Sequence, residues 1–388
     1  MKELRAIIEA YNKATAEGRK TALATIVHVD GSAYRRAGAR MLVDDEGNVT
    51  GAISGGCLDG DALRKAQLVI AKQKSKLVTY DTSNEEDVSI GIQLGCEGII
   101  QVLFEPIDSL HPQNPIELIK EVVQLKASGV ICTFFDVKNK NDHQLGTCIV
   151  FDKNSKIILG DSDLLDIDIL IDDVRDTMAQ KSSKFISYEK SEISIDVFLE
   201  FFQPPISLII VGAGNDAIPL MKIADIIGWE VRVIDGRDSY AKAERFEAAC
   251  QVLVLKPEQL IESIIINEYT AFVLVTHNYN YDKGVLKYLL PLNIFYIGIL
   301  GPKKKLNVML QDLKKEGIEY TDHMLDKVYG PTGLDIGAET PDEIALSMIA
   351  EIQAVFQKKH GGSLRDREDV IHDRQRNVFH QKNIDGEK

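Results

Sequence analysis

Two thiols on glycine-rich segments are the candidate reactive groups of the first half of the chain. Cys57 follows Gly55 and Gly56 and precedes a predicted helix, where free backbone N–H groups and the helix dipole favour a thiolate. Cys57 is therefore the candidate nucleophile and the candidate soft metal ligand. The alternative is a small side chain that fills a tight turn. Cys96 lies on a second glycine turn before a strand, and the two thiols could share a site if their loops converge.

Three arginines precede the first of these thiols, in the segment GSAYRRAGAR at residues 31–40. A guanidinium group binds phosphate or carboxylate bidentately, and the glycines let a ligand approach the backbone. We therefore expect Arg35, Arg36 and Arg40 to contact an anion. The alternative is a solvated turn with scattered arginines.

A glycine turn in the second half has the spacing of a dinucleotide-binding motif. The residues GAGNDA at 212–217 follow an apolar strand predicted at 207–211 and open a predicted helix. In this context Gly212, Gly214 and Asn215 are expected to face a phosphate at the helix N-terminus. The alternative is a doubly wound sheet whose glycine turn binds no nucleotide.

Three further side chains are predicted to line the crevice beside this turn. Asp235, at the end of the next strand, is placed to hydrogen-bond a ribose diol, whereas Arg237 leaves a 2′-phosphate possible. His277 follows a strand predicted at 271–275, whose carboxyl end faces the same crevice. It would serve as acid or base near a nicotinamide, or would hydrogen-bond a loop carbonyl. These residues support an oxidoreductase that uses NAD(P) as one hypothesis.

The elements that position these residues indicate an α/β chain in two parts. Residues 1–112 form a predicted N-terminal α+β domain, and residues 113–203 form a middle segment packed with it. From residue 204 to 360, strands alternate with helices, which predicts a Rossmann-like doubly wound parallel sheet. Residues 361–388 are strongly charged and are expected to form a tail.

Composition limits the classes of partner. The 388 residues carry 45 basic and 59 acidic side chains, and a net charge of -14 repels a phosphate backbone, so we expect no nucleic-acid binding. We expect a cytoplasmic protein without membrane contact, because there is no secretory signal and no apolar run near the roughly 18 residues of a span. The five cysteines include no CxxC pair and are expected to be reduced.

Taken together, these motifs resemble the XdhC/CoxI family. The resemblance is carried by RRAGARM at 35–41, SGGCL at 54–58, GC at 95–96, VLFEP at 102–106, GAG at 212–214, VIDGR at 233–237, THN at 276–278, YIGILG at 296–301 and GLDIGAETP at 333–341. The chain departs from the family pattern at Tyr34, Glu97, Asn215 and residues 302–304, where the family has proline, glycine, histidine and Ser-Arg-Arg.

The resemblance implies an accessory protein that matures xanthine dehydrogenase and related molybdenum hydroxylases. Such a protein binds the molybdenum cofactor (molybdopterin), supports its sulfuration and delivers it. Cys57 would be the soft ligand or sulfur-handling thiol, and the expected partners are a xanthine dehydrogenase-type molybdoenzyme, a sulfurase and a second copy in a homodimer. The rivals are the NAD(P)-dependent oxidoreductase and a regulatory module that senses a nucleotide and binds a dehydrogenase.

Overall fold

The chain divides into two units. The computed structural model describes residues 1–31, 33–56, 58–81, 98–139, 144–160, 165–190, 193–366 and 380–383. Unit 1 comprises Met1–Pro204 with His372–Lys388, and unit 2 comprises Pro205–Ile371. The boundary separates two adjacent prolines, which have no N–H to donate to a sheet ladder.

Unit 1 begins with an amphipathic helix and an antiparallel sheet, sheet I, in the order β3-β2-β1-β5-β4. Its elements are α1 (Lys2–Ala16), β1 (Thr21–Gly31), β2 (Arg40–Asp44), β3 (Val49–Gly51), α2 (Asp59–Lys72), β4 (Lys76–Asp81) and β5 (Gly98–Ile107). Helix α2 buries Ala62, Ala66 and Val69 in the same apolar cluster as the strands. Helix α2 begins at Asp59, shortly after the glycine turn at 55–56.

The second sheet of unit 1, sheet II, has the order β17-β9-β10-β6-β7-β8. Its elements are α3 (Pro115–Gln124), β6 (Gly129–Phe135), β7 (Gly146–Phe151), β8 (Ile157–Gly160), α4 (Ile167–Gln180), β9 (Lys184–Lys190), β10 (Ile193–Phe202) and β17 (His380–Asn383). Strand β17 pairs in parallel with β9, and Lys382 Nζ lies 2.6 Å from Asp173 Oδ1. The charged composition of this segment does not predict a strand.

Buried polar contacts connect sheet I to sheet II. The Arg40 side chain on β2 is only 1% exposed, and its Nη1 lies 3.0 Å from Glu200 Oε1 on β10. Glu105 on β5 accepts hydrogen bonds from the backbone N (2.7 Å) and Oγ1 (3.0 Å) of Thr147 on β7. Each buried charge thus has a partner on the other sheet, which limits the cost of its desolvation.

Unit 2 is a six-stranded parallel sheet, sheet III, in the order β13-β12-β11-β14-β15-β16. Its strands are β11 (Ser207–Val211), β12 (Glu230–Asp235), β13 (Gln251–Val254), β14 (Thr270–Leu274), β15 (Tyr296–Ile299) and β16 (Val328–Tyr329). Its helices are α5 (Ala217–Ile226), α6 (Leu260–Ser263), α7 (Tyr279–Leu289), α8 (Lys303–Lys315), α9 (Asp322–Leu325) and α10 (Pro341–Phe356). The predicted fold class, an α+β unit followed by a doubly wound parallel sheet, is confirmed.

The order of sheet III reverses between β11 and β14, which makes this the switch point where ligands of such folds bind. Residues 208–211 of β11 are fully buried, because apolar clusters cover both faces of the sheet. Among the helices of the described residues, none is long and apolar enough to cross a membrane.

We expect Glu105→Gln to change how stability depends on pH. Burial raises the pKa of Glu105 to about 7, although its bonds to Thr147 and the charge of Arg40 act in the opposite direction. The folded-state pKa of Glu105 lies above that of an exposed glutamate. The stabilisation that protonated Glu105 gives the folded state is therefore complete at low pH and is lost as pH rises through about 7. The variant cannot titrate, so its stability relative to wild type should improve by up to about 3 kcal/mol between about pH 4.5 and 8.

Urea unfolding followed by circular dichroism measures this difference. Glu9→Gln, at an exposed position of α1, is the matched control. Parallel pH profiles for wild type and Glu105→Gln would contradict the prediction.

Candidate functional site

The glycine turn at 212–214 connects β11 to α5 and packs against the backbone directly after β14. Gly212 has φ of +123°, and a Cβ built there would lie 2.6 Å from the carbonyl carbon of Val275, so only glycine fits. A Cβ built at Gly214 meets no heavy atom of the described chain within 4 Å. Gly212 therefore allows the backbone to pack closely, and Gly214 leaves the backbone open to a ligand at the start of α5.

The Asp235 carboxylate ties this turn to the end of β12. It accepts hydrogen bonds from Ala213 N (2.7 Å) and from the backbone N (2.9 Å), Nε (2.9 Å) and Nη2 (2.8 Å) of Arg237. Burial would raise the pKa of Asp235, but these hydrogen bonds outweigh it and lower the pKa. The Asp235 side chain is only 3% exposed. The oxygens of Asp235 thus bond within the protein, and its role at a ribose diol stays a prediction.

Arg245, which the motifs do not reveal, holds the other side of the turn. Its Nη1 donates to the backbone oxygens of Ala213 and Tyr240 at 2.7 Å each, and its Nη2 donates to Asn215 Oδ1 at 2.9 Å. Asn215, an expected phosphate contact, is thus fixed by a guanidinium that brings positive charge to the turn. Arg245 ends a single 3-10 turn (Ala243–Arg245) in the connection after β12, where neither spacing nor periodicity distinguishes it.

Two cavities flank the glycine turn. A cavity of about 300 Å³ lies beyond β12, β13 and β14, and Arg237, Lys256, Glu258, Asn278 and Tyr281 are among its lining residues. A cavity of about 140 Å³ lies on the β15 side, lined in part by Asp216, Leu220, Val275, Leu300 and Met348. Concave sites on both sides of a switch point suit the two halves of an elongated nucleotide.

His277 lies beside the start of α5, as the positions of the strand ends predict. Its Nε2 is 2.7 Å from Asp216 Oδ2, and its side chain is 62% exposed. Its backbone has φ of +56°, an uncommon conformation outside glycine. His277 therefore bonds to a carboxylate, whereas the alternative to a catalytic role was a hydrogen bond to a loop carbonyl. A role as acid or base stays a prediction.

In unit 1, the arginine segment contacts the glycine turn before Cys57. A Cβ built at Gly55 would lie 3.3 Å from carbon atoms of the Tyr34 ring, so the ring packs on this glycine. Gly56 has φ of +112°, and a Cβ there meets no described heavy atom within 4 Å. Cys57 and Cys96 themselves lie outside the described residues, so their convergence stays a prediction.

Ser54 organises the backbone of this turn. Its Oγ accepts hydrogen bonds from the backbone N of Gly56 (3.1 Å) and of Leu58 (3.0 Å) and donates to Asp59 Oδ1 (2.9 Å). These bonds fix the chain at both sides of position 57 immediately before α2. Three or more clustered histidine, cysteine, aspartate or glutamate side chains that could hold a metal are not found in the described part of the chain. Cys57 as a metal ligand stays a prediction.

The three predicted anion contacts have different surroundings. Arg40 is buried and paired with Glu200, and its role as an anion contact stays a prediction. Arg35 is 29% exposed and bonds to Glu3, while Arg36 is exposed. Only Arg35 and Arg36 are therefore accessible to a ligand.

The fold defines a protein with a Rossmann-type domain preceded by a two-sheet α+β unit. Comparison with protein families matches residues 14–81 to the XdhC and CoxI family and residues 208–352 to the XdhC Rossmann domain. The chain belongs to the XdhC/CoxI family. The resemblance inferred from its motifs is confirmed.

Similar proteins cover nearly the whole chain. A probable xanthine dehydrogenase subunit of Bacillus subtilis (strain 168) is 32% identical over 330 residues, which span 85% of this chain and 91% of that protein. The molybdenum cofactor insertion chaperone PaoD of Escherichia coli (strain K12) is 21% identical over 351 residues, 90% and 88% of the two chains. The crystal structure of a xanthine dehydrogenase from Bacillus halodurans matches with a TM-score of 0.71 at 28% identity, covering 92% and 98%.

We expect the two glycines of the turn to respond differently to alanine. Gly212→Ala introduces a Cβ into the backbone at Val275 and an unfavourable φ, which should lower the free energy of unfolding by at least about 3 kcal/mol. Gly214→Ala meets open space, so the change should stay within about 1 kcal/mol. Thermal and urea unfolding measure both, and similar losses for the two variants would contradict the assigned geometry.

Proposed function

We propose that this chain is an accessory protein that binds the molybdenum cofactor, assists its sulfuration and inserts it into a xanthine dehydrogenase-type molybdoenzyme. Support comes from the similarity to PaoD, which is named as an insertion chaperone and is matched over 90% of this chain. The similarity to the probable xanthine dehydrogenase subunit of Bacillus subtilis supports the same class of client enzyme. In this role the chain works as a homodimer and with a sulfurase.

The contact between Tyr34 and Gly55 is the observation that carries the proposed cofactor site. It holds the segment with Arg35 and Arg36 beside the glycine turn that leads to Cys57. The cofactor combines a phosphate with a soft, sulfur-coordinated metal. Guanidinium and open backbone groups suit the phosphate, and a thiolate suits the metal. We therefore assign the phosphate to Arg35 and Arg36, and the metal or its sulfur to Cys57.

The Rossmann-type unit supplies a second, nucleotide-type site in this proposal. Gly214 leaves the N-terminus of α5 accessible, and Arg245 adds positive charge through its bond to Asn215. The cavities on each side of the turn provide room for groups attached to the phosphates. Cargo binding and nucleotide binding are therefore assigned to different units.

Cys57→Ala should reduce retention of the molybdenum cofactor at least about fivefold, because it removes the proposed soft ligand. The protein is purified without oxygen from cells that make the cofactor, and the pterin is quantified by fluorescence after oxidation. Cys250→Ala is the matched control, since Cys250 is an exposed free thiol of unit 2.

A second measurement separates binding from sulfuration. The purified chain is mixed with a cofactor-free molybdenum hydroxylase, and enzyme activity and cyanide-labile sulfur are followed. Wild type should restore both, and Cys57→Ala neither. Failure of wild type to retain pterin, under conditions where a molybdenum enzyme retains it, would overturn the proposed function.

A further inference from the structure

We propose that the cavity beyond β12 selects a nucleotide whose ribose carries a 2′-phosphate, and that Arg237 determines this specificity. The inference rests on the nucleotide site proposed above, but it does not depend on binding of the molybdenum cofactor. Four observations carry it: the inaccessibility of Asp235, the fixed orientation of Arg237, the position of Lys256 and the walls of the cavity.

Asp235 cannot serve an unphosphorylated ribose in this structure. In Rossmann folds that bind such a ribose, a carboxylate at the end of the second strand accepts hydrogen bonds from the diol. The Asp235 side chain is 3% exposed and already accepts four hydrogen bonds from Ala213 and Arg237. A carboxylate has about four acceptor positions, so none remains for a diol.

Arg237, and not Asp235, is the side chain that is accessible from the cavity. Its side chain is 45% exposed and lines the cavity of about 300 Å³. Nε and Nη2 bond to Asp235, whereas Nη1 has no acceptor within the described chain. The guanidinium carbon lies 4.0 Å from the centre of the Tyr240 ring, which fixes the plane of the group. A fixed guanidinium with free N–H groups is a strong phosphate ligand.

Lys256 adds a second cation at the end of β13 and lines the same cavity. Glu258 also lines it, but this side chain is exposed, so water screens its repulsion. Asp235 is neutralised by its bonds to Arg237. Because this ion pair also offsets the charge of Arg237, a phosphate beside it would meet the charge of Lys256 and the N–H donors of Arg237 that Asp235 does not use.

The remaining wall suits a nucleoside. Tyr281 donates its hydroxyl to Leu255 O at 2.5 Å, which fixes its ring in the cavity wall. Gly236 allows this ring to approach, since a Cβ there would lie 2.7 Å from Tyr281 Cε2. Pro257 extends the apolar surface. An aromatic and apolar wall beside two cations matches a base and ribose phosphate together.

Isothermal titration calorimetry with 2′,5′-ADP and 5′-AMP tests the proposal, because the two probes differ only in the 2′-phosphate. We expect 2′,5′-ADP to bind wild type at least about tenfold more tightly, with a preference that falls as salt rises. In Arg237→Gln the preference should drop to about twofold or reverse, because Asp235 becomes available to the diol. NADPH and NADH should show the same order as the shorter probes.

Lys242→Ala is the matched control, since Lys242 is an exposed cation of the same connection that pairs with Asp238. It should keep the wild-type preference. Arg237→Lys keeps the charge without the bidentate pairing and should give an intermediate preference, which preserves the test if Arg237→Gln fails to fold. Equal affinities of the two probes for wild type, or no binding of either at millimolar concentration, would overturn the proposal. Pterin retention measured on the same variants should be unchanged, so failure of the cofactor proposal is seen separately.

Discussion

The approach of Gly212 to the backbone after β14 is the constraint on which the crevice of unit 2 depends. A Cβ at position 212 would lie 2.6 Å from the Val275 carbonyl carbon, so the chain segments that follow β11 and β14 can approach this closely only with glycine at 212. The turn is then held from both sides, by Asp235 at Ala213 N and by Arg245 at Asn215. A turn fixed in this way needs no ordering when a ligand arrives, which removes one cost of binding.

Exposure, and not pairing alone, distinguishes a buried structural arginine of this chain from one that is accessible to a ligand. Arg40 and Arg237 each form two side-chain bonds to one carboxylate. Arg40 is 1% exposed and also bonds to Gly38 O, so its charge serves the alignment of two sheets. Arg237 is 45% exposed, so its carboxylate partner positions the guanidinium without covering it. The same pairing chemistry thus has a packing role in one unit and, in our proposal, a recognition role in the other.

The sequence predicts the fold class and the position of the glycine turn well, because both are encoded locally. Strands buried on two faces give continuous apolar runs such as 207–211, and a close approach demands glycine at 212. The contacts that decide which side chains meet a ligand are not local. Arg40 and Glu200 are 160 residues apart in the chain, and Arg245 reaches Asn215 from 30 residues away. No periodicity in the sequence links such pairs. Only the folded structure shows that Arg40 is buried and that Asp235 is already bonded to Ala213 and Arg237.

A protein that delivers its cargo must also release it, and the charges of unit 1 suit that requirement. Arg35 already bonds to Glu3, and both side chains are partly exposed. A phosphate that binds Arg35 therefore replaces one anion with another, and the net gain is smaller than for a free guanidinium. The chain carries a net charge of -14, which further weakens the hold on an anionic ligand. In the proposed role this competition keeps affinity moderate, so that a client enzyme with a deeper, unopposed anion site can take the cofactor.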